Sequence, residues 1–109
     1  MRDLVVIAVI VAGVVVSAPG GSRAQSAPGD QAATGAQLFA TSCGFCHQDG
    51  GRAAGRGPKL AGTDRPDEYL LNRIRVGKEG AMPAYGRAFN DSQLRALVAY
   101  IRSLKDDGR

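Results

Sequence analysis

The hydrophobic and polar positions divide the chain into apolar segments separated by stretches rich in glycine and proline. Leu4 to Val16 is a thirteen-residue apolar run, and residues 17–31 that follow are low-complexity sequence with almost nothing to bury. From Ala32 to Ser42 the pattern predicts a short helix, with Asp30 as candidate N-cap and Leu38 and Phe39 as its apolar contacts. Between residues 49 and 62 the glycines at 50, 51, 55, 57 and 62 and Pro58 exclude regular structure for most of the length, so this segment reads as a loop. A second helix is expected up to Val76, capped by Thr63 or Asp64. Pro66, Asp67 and Glu68 suit its first turn, Tyr69, Leu70 and Ile74 form its apolar side, Arg73 and Arg75 project elsewhere, and Gly77 is its stop. After a loop from Gly80 to Gly86 comes the clearest element. Asn90 or Asp91 caps it, Gln93 can close a capping box with Asn90, and Leu94, Leu97, Val98, Ile101 and Leu104 form one stripe. No useful strand alternation and no internal repeat is visible, so the expected fold class is all-α.

Length and composition narrow this further. A chain of 109 residues holds one domain with a modest core. Aromatic residues make up only 6% and tryptophan is absent, so side chains alone give a thin core that something else would have to fill. Arg2, the apolar run and Ser22-Arg23-Ala24 together resemble an export signal over residues 1–24. The expected organisation is then a flexible leader at 25–31 and a folded domain at 32–109, in a periplasmic or otherwise exported protein. Thirteen apolar residues fall short of the roughly 20 that span a bilayer, but a run reaching Ala18 leaves an uncleaved membrane anchor as the alternative. Removal of residues 1–24 takes Arg2, Arg23 and Asp3 from totals of 14 basic and 10 acidic residues, leaving a net charge of +3. So small a balance argues against nucleic acid as a partner, and is compatible with redox proteins that present acidic docking surfaces.

The two cysteines lie within one four-residue stretch, which excludes a disulfide framework and points to a local site. Cys43-Gly44-Phe45-Cys46-His47 is a C-x-x-C-H sequence, the attachment signal for c-type haem. Two thiols one turn apart can add to the two vinyl groups, and the next residue then brings an imidazole to the iron. Zinc would need a fourth ligand, for which Asp49 is the only nearby candidate. A redox-active cysteine pair would need a parallel sheet, and a purely structural pair would leave the adjacent His47 unexplained. His47 is the only histidine, and Met82 is the only methionine outside the first residue. Met82 is therefore the candidate sixth ligand, its alternative role being that of a core filler. Gly80 would permit close backbone approach to a large ligand, and Pro83 would fix the loop after the sulfur.

With these residues in place the chain resembles a class I monohaem cytochrome c from about Gly35 to Leu104. The resemblance rests on Gly35 and Phe39, on Cys43, Cys46 and His47, on Gly57-Pro58-Lys59-Leu60, on Met82-Pro83, and on Leu97 and Tyr100. It implies a small cytochrome c fold, with three or more helices around one covalently attached haem c. The first and last helices would cross at Gly35, with Phe39 near Leu97 and Tyr100. It implies that the Pro58 carbonyl accepts a hydrogen bond from the free ring nitrogen of His47, and that His47 and Met82 ligate the iron. Arg56, Lys59, Arg73 and Arg75 are the candidate partners of the haem propionates. The function implied is single-electron transfer between a dehydrogenase or reductase and an oxidase or other acceptor, by a monomer that is not itself an enzyme. The alternatives are an electron-transfer subunit of a larger complex, and a haem enzyme or gas sensor with a labile methionine.

Overall fold

The computed structural model describes residues 10–17, 20 and 28–108. Of the expected export segment, residues 10–17 and 20 are exposed chain without regular structure, and the expected cut at Ser22-Arg23-Ala24 lies outside the described residues, as do residues 25–27 of the leader. No helix among the described residues is long and apolar enough to cross a membrane.

The described residues fold as three helices: α1 (Pro28–Ser42), α2 (Asp67–Val76) and α3 (Asp91–Ser103), with one 3-10 turn at Asp49–Gly51 and no strand. Helix α1 begins four residues before the expected start, so the proposed boundary between leader and domain falls inside it. Pro28 has the fixed φ that suits a first turn, and Asp30 sits within that turn, where its carboxylate favours the dipole, rather than capping it. Helix α2 begins after Pro66, with no side-chain cap. Thr63 Oγ1 instead accepts a hydrogen bond from the Arg65 backbone N–H at 3.3 Å, shaping the turn before the helix. Its buried face is Leu70, Leu71 and Ile74, whereas Tyr69 is 37% exposed. Gly77 ends α2 with φ +67°, and its N–H bonds to the Arg73 carbonyl. Helix α3 starts with the expected capping box. Gln93 N–H donates to Asn90 Oδ1 and Asn90 N–H to Gln93 Oε1, both at 2.9 Å.

Helix α3 is the centre of the molecule, and its apolar stripe packs against both other helices. Leu94 and Leu97 are fully buried. The crossing with α1 is set by Gly35: a Cβ there would stand 1.9 Å from the Ala96 carbonyl oxygen and 2.8 Å from Tyr100 Cβ. This approach brings Phe39, 2% exposed, under α3, with its ring 5.0 Å from that of Tyr100. On the other side, the Arg102 guanidinium binds Asp67 Oδ1 at 2.7 Å, the Thr63 carbonyl at 3.1 Å and the Arg65 carbonyl, holding the corner that starts α2.

Because the Gly35 contact is with backbone that cannot move aside, Gly35→Ala is expected to cost about 3 kcal/mol, the upper end of what overpacking costs. A denaturant midpoint within error of wild type would contradict this account of the helix crossing.

Candidate functional site

The C-terminal end of α1 carries the cysteines. Cys43 and Gly44 N–H close the helix onto the Phe39 carbonyl at 2.8 and 2.9 Å, and Cys46 and His47 N–H both turn back to the Cys43 carbonyl at 3.2 and 2.9 Å. Cys43 thus stands one turn from Cys46 and His47. Cys43 and His47 are buried, Cys46 is half-buried, and both thiols are free of any disulfide. Burial, reinforced by the neighbouring Cys46, pushes the Cys43 thiol up to about 11.

His47 is fixed from several directions. Its Nδ1 lies 3.0 Å from the Pro58 carbonyl oxygen. A carbonyl can only accept, so Nδ1 carries the proton and Nε2 is left with a lone pair for a metal. Gly57 backs the ring so closely that a Cβ would approach Cε1 to 2.5 Å. Phe39 lies beside it at 6.1 Å between ring centroids. The loop that delivers Pro58 is irregular but firmly tied. Leu60 and Ala61 N–H both bond the Gly51 carbonyl, Gly57 N–H bonds the Cys46 carbonyl, Tyr100 Oη donates to the Gly50 carbonyl at 2.7 Å, and Lys59 Nζ pairs with Asp106 at 2.5 Å.

Met82 lies in a tight turn hung on the end of α2. Lys78 and Met82 exchange both backbone hydrogen bonds at 2.8 Å. Gly80 serves this turn with φ +73°, and a Cβ there would touch no protein atom, so the backbone angle, more than close packing against protein, is what asks for glycine. Tyr85 N–H bonds the Ile74 carbonyl, and its hydroxyl donates to the Ser42 carbonyl at 2.9 Å. Burial raises the Tyr85 phenol above its ordinary value, with Cys43 and Cys46 adding to the effect.

These segments enclose a cavity of about 490 Å³ lined by Cys43, Cys46, His47, Pro58 and Met82 together. That volume falls in the range of about 300–1,000 Å³ common for cofactor sites. Leu60, Leu70 and Ile74 line it as well and give it an apolar part. Arg56, Lys59 and Arg73 also line it, and so do Arg65 and Lys78, but no carboxylate does. Arg75 does not: it is exposed and pairs with Asp91 at 3.3 Å. Arg73, expected to point away, donates to the Gly77 carbonyl and to Tyr69 Oη. With Arg65 it flanks the Tyr69 ring, at 5.5 and 4.8 Å. The Arg73 hydrogen bond and charge, with Arg65 and Lys78, lower the Tyr69 phenol. Tyr69 and Arg73 are four residues apart on α2 and so share one face, a signal visible in the sequence, whereas Arg65 reaches the ring from the turn before the helix. Tyr85 and Lys78 had no comparable signal. Among the described residues no three His, Cys, Asp or Glu side chains gather into a metal cage, so the zinc alternative gains no support.

An all-α frame in which this motif lines such a cavity is that of a small c-type cytochrome domain. The family model described as cytochrome C oxidase, cbb3-type, subunit III matches residues 30–101, and the chain belongs to that family. It is similar to the cbb3-type cytochrome c oxidase subunit FixP of Azorhizobium caulinodans, at 31% identity over 76% of this chain and 31% of the relative. It is similar also to the 4-cresol dehydrogenase (hydroxylating) cytochrome c subunit of Pseudomonas putida, at 34% identity over 94% of this chain and 84% of the relative. A third relative is cytochrome c6 of Aphanizomenon flos-aquae, at 31% identity over 69% of this chain and 92% of the relative. The chain therefore spans under a third of the FixP relative and most of the other two.

Membership implies covalently bound haem c with its iron. The residues present fit that group: two thiols one turn apart, an imidazole whose Nδ1 is already engaged, a thioether on a separate segment, and an apolar lining.

Gly57→Ala should push the His47 ring off the Pro58 carbonyl and destabilise the holoprotein by roughly 1–3 kcal/mol, read by denaturation and by loss of the Nδ1–H proton resonance. An unchanged resonance would rule out the packing described. The Asp106 carboxyl is held below its ordinary value of 3.8 by the hydrogen bond from Lys59 and then by the Gly108 N–H. A depressed carboxylate stabilises the fold above its unfolded pKa and loses that contribution as pH falls through the folded one. Acidification from pH 5 to pH 3 should therefore cost the wild type more stability than Asp106→Asn, and equal losses in the two proteins would contradict it.

Proposed function

We propose that the chain is a one-electron carrier in which Cys43 and Cys46 would hold the haem through thioethers while His47 Nε2 and the Met82 sulfur would bind its iron. The observation that carries this reading is the His47 Nδ1 to Pro58 contact of 3.0 Å, which fixes the tautomer and orients the ring as metal-bound histidines require. Met82 is the natural partner because it lines the same cavity, and the chain has no second histidine to replace it. When bound, haem supplies a ferric/ferrous couple that takes and gives one electron at a time. The chain's residues do the rest. His47 and Met82 would both be taken up in holding the iron, which would leave no open place there for a substrate. Leu60, Leu70 and Ile74 keep the surroundings apolar, which favours the ferrous state and so a raised potential.

The partners proposed are redox proteins with acidic docking surfaces, matched to the cations around the cavity. The names of the FixP and 4-cresol dehydrogenase relatives favour a second form of the same function, in which the domain passes electrons as a subunit of an oxidase or dehydrogenase complex. Export of the chain through residues 1–24, either cleaved or retained as an anchor, belongs to the same proposal.

Optical spectra of the purified holoprotein test it. The ferrous wild type is expected to show a c-type spectrum that carbon monoxide leaves unchanged, and Met82→Ala to bind carbon monoxide readily. A wild-type spectrum that shifts at once with carbon monoxide would move the reading to a haem enzyme or gas sensor. Absence of covalent haem after export would overturn it altogether.

A further inference from the structure

The two segments that carry the proposed axial ligands belong to different parts of the fold. His47 follows α1, whereas the Met82 turn hangs on α2 through the Lys78 backbone pair, the Tyr85 N–H to the Ile74 carbonyl and the Gly86 N–H to the Arg75 carbonyl. Those bonds position the turn relative to α2 alone. One side chain crosses to the other segment. Tyr85, three residues beyond Met82, donates its hydroxyl to the carbonyl of Ser42, the last residue of α1 and the one immediately before Cys43. That carbonyl belongs to the last turn of a helix, where no intrahelical N–H is available to it. The bond is partly buried, and Tyr85 lines the cavity beside Met82. Its ring is also fixed, stacked on Phe89 at 5.6 Å and 17° between planes, and its carbonyl accepts from the Ala88 and Phe89 N–H groups. Backbone N–H, carbonyl, ring and hydroxyl of this one residue are thus all engaged, which makes it a rigid strut and not a swinging side chain.

We infer that Tyr85 is a positioning residue: through Ser42 it braces the Met82 turn against the haem-attachment segment and so sets how readily the methionine gives up its place to an incoming ligand. The inference rests on the His47 and Met82 reading above. An exogenous ligand must first displace Met82, so its apparent affinity falls by the factor that favours the methionine. Removing a hydrogen bond of ordinary net strength changes such an equilibrium roughly two- to tenfold.

The test is titration of imidazole into the ferric holoprotein, followed optically. Tyr85→Phe keeps the ring and its stack, and is expected to bind imidazole two- to tenfold more tightly than wild type. Ser42→Gly loosens the acceptor from the other side and should act in the same direction, which keeps the test available if the Tyr85 variant does not fold. Val98→Ala truncates a buried side chain of α3 that does not line the cavity. It supplies a destabilised control that should leave the affinity unchanged. Wild-type affinity in both Tyr85→Phe and Ser42→Gly, or an equal gain in Val98→Ala, would overturn the brace and reduce Tyr85 to general stability. If imidazole binds the wild type without displacing a methionine ligand, as judged by the Met–iron charge-transfer band, the axial assignment itself falls, and the brace falls with it before any variant is made.

Discussion

The contact on which the rest of the molecule depends is the passage of α1 over α3 at Gly35, where only a hydrogen fits against the Ala96 carbonyl. Moving the helices apart to admit a side chain would lift Phe39 from its place against Tyr100 and beside His47. Since Cys43 and Gly44 close α1 by bonding to the Phe39 carbonyl, the placement of that one residue is passed directly to the attachment motif. A glycine normally weakens a helix by about 1 kcal/mol relative to alanine. Here that penalty is offset by the close approach, which lets Leu94 and Leu97 become fully buried.

The second constraint is that a loop without regular structure must present one carbonyl, that of Pro58, to one ring nitrogen. Glycines make the path passable, with Gly50 and Gly51 at positive φ, but they also make it entropically costly to hold. The loop is held by bonds from outside and within it. The Gly51 carbonyl accepts two N–H groups, Tyr100 reaches down from α3 to Gly50, and Asp106 beyond α3 takes Lys59. At about 1 kcal/mol net for each hydrogen bond, such ties together rival the cost of ordering several residues. The same helix that packs α1 therefore also steadies the loop that orients His47.

Much of this was legible from residues alone wherever the signal was local. The Asn90 and Gln93 capping box and the α3 stripe are short-range patterns, and each takes the form expected. Sequence and structure part where the deciding partner is distant along the chain. Thr63 or Asp64 suits the cap of α2 by residue type, but the corner is held by Arg102 from α3 and α2 starts without a side-chain cap. Helical spacing allows either Tyr69 or Leu71 on the apolar side of α2. Burial against α3 selects Leu71, and Tyr69 is more exposed, with Arg73 of α2 and Arg65 before the helix over its ring. The Tyr85 bond to Ser42 spans 43 residues and left no trace in the local sequence.

Composition and charge acquire a different meaning once placed in space. The scarcity of aromatic residues and the presence of a cavity of about 490 Å³ are one fact seen twice, since a domain that houses a large planar cofactor does not need side chains of its own to fill that space. Charge is similar. A formal net charge of +4 over the whole chain is modest, and spread evenly it would do little. Asp67, Asp91 and Asp106 are spent on ion pairs that staple elements together, while Arg56, Arg65, Arg73 and Lys78 line a cavity with no carboxylate among its walls. The local field depends on this segregation and not on the total. A chain of nearly balanced charge thus gathers cations, and no carboxylate of its own, around the space that a haem would take up.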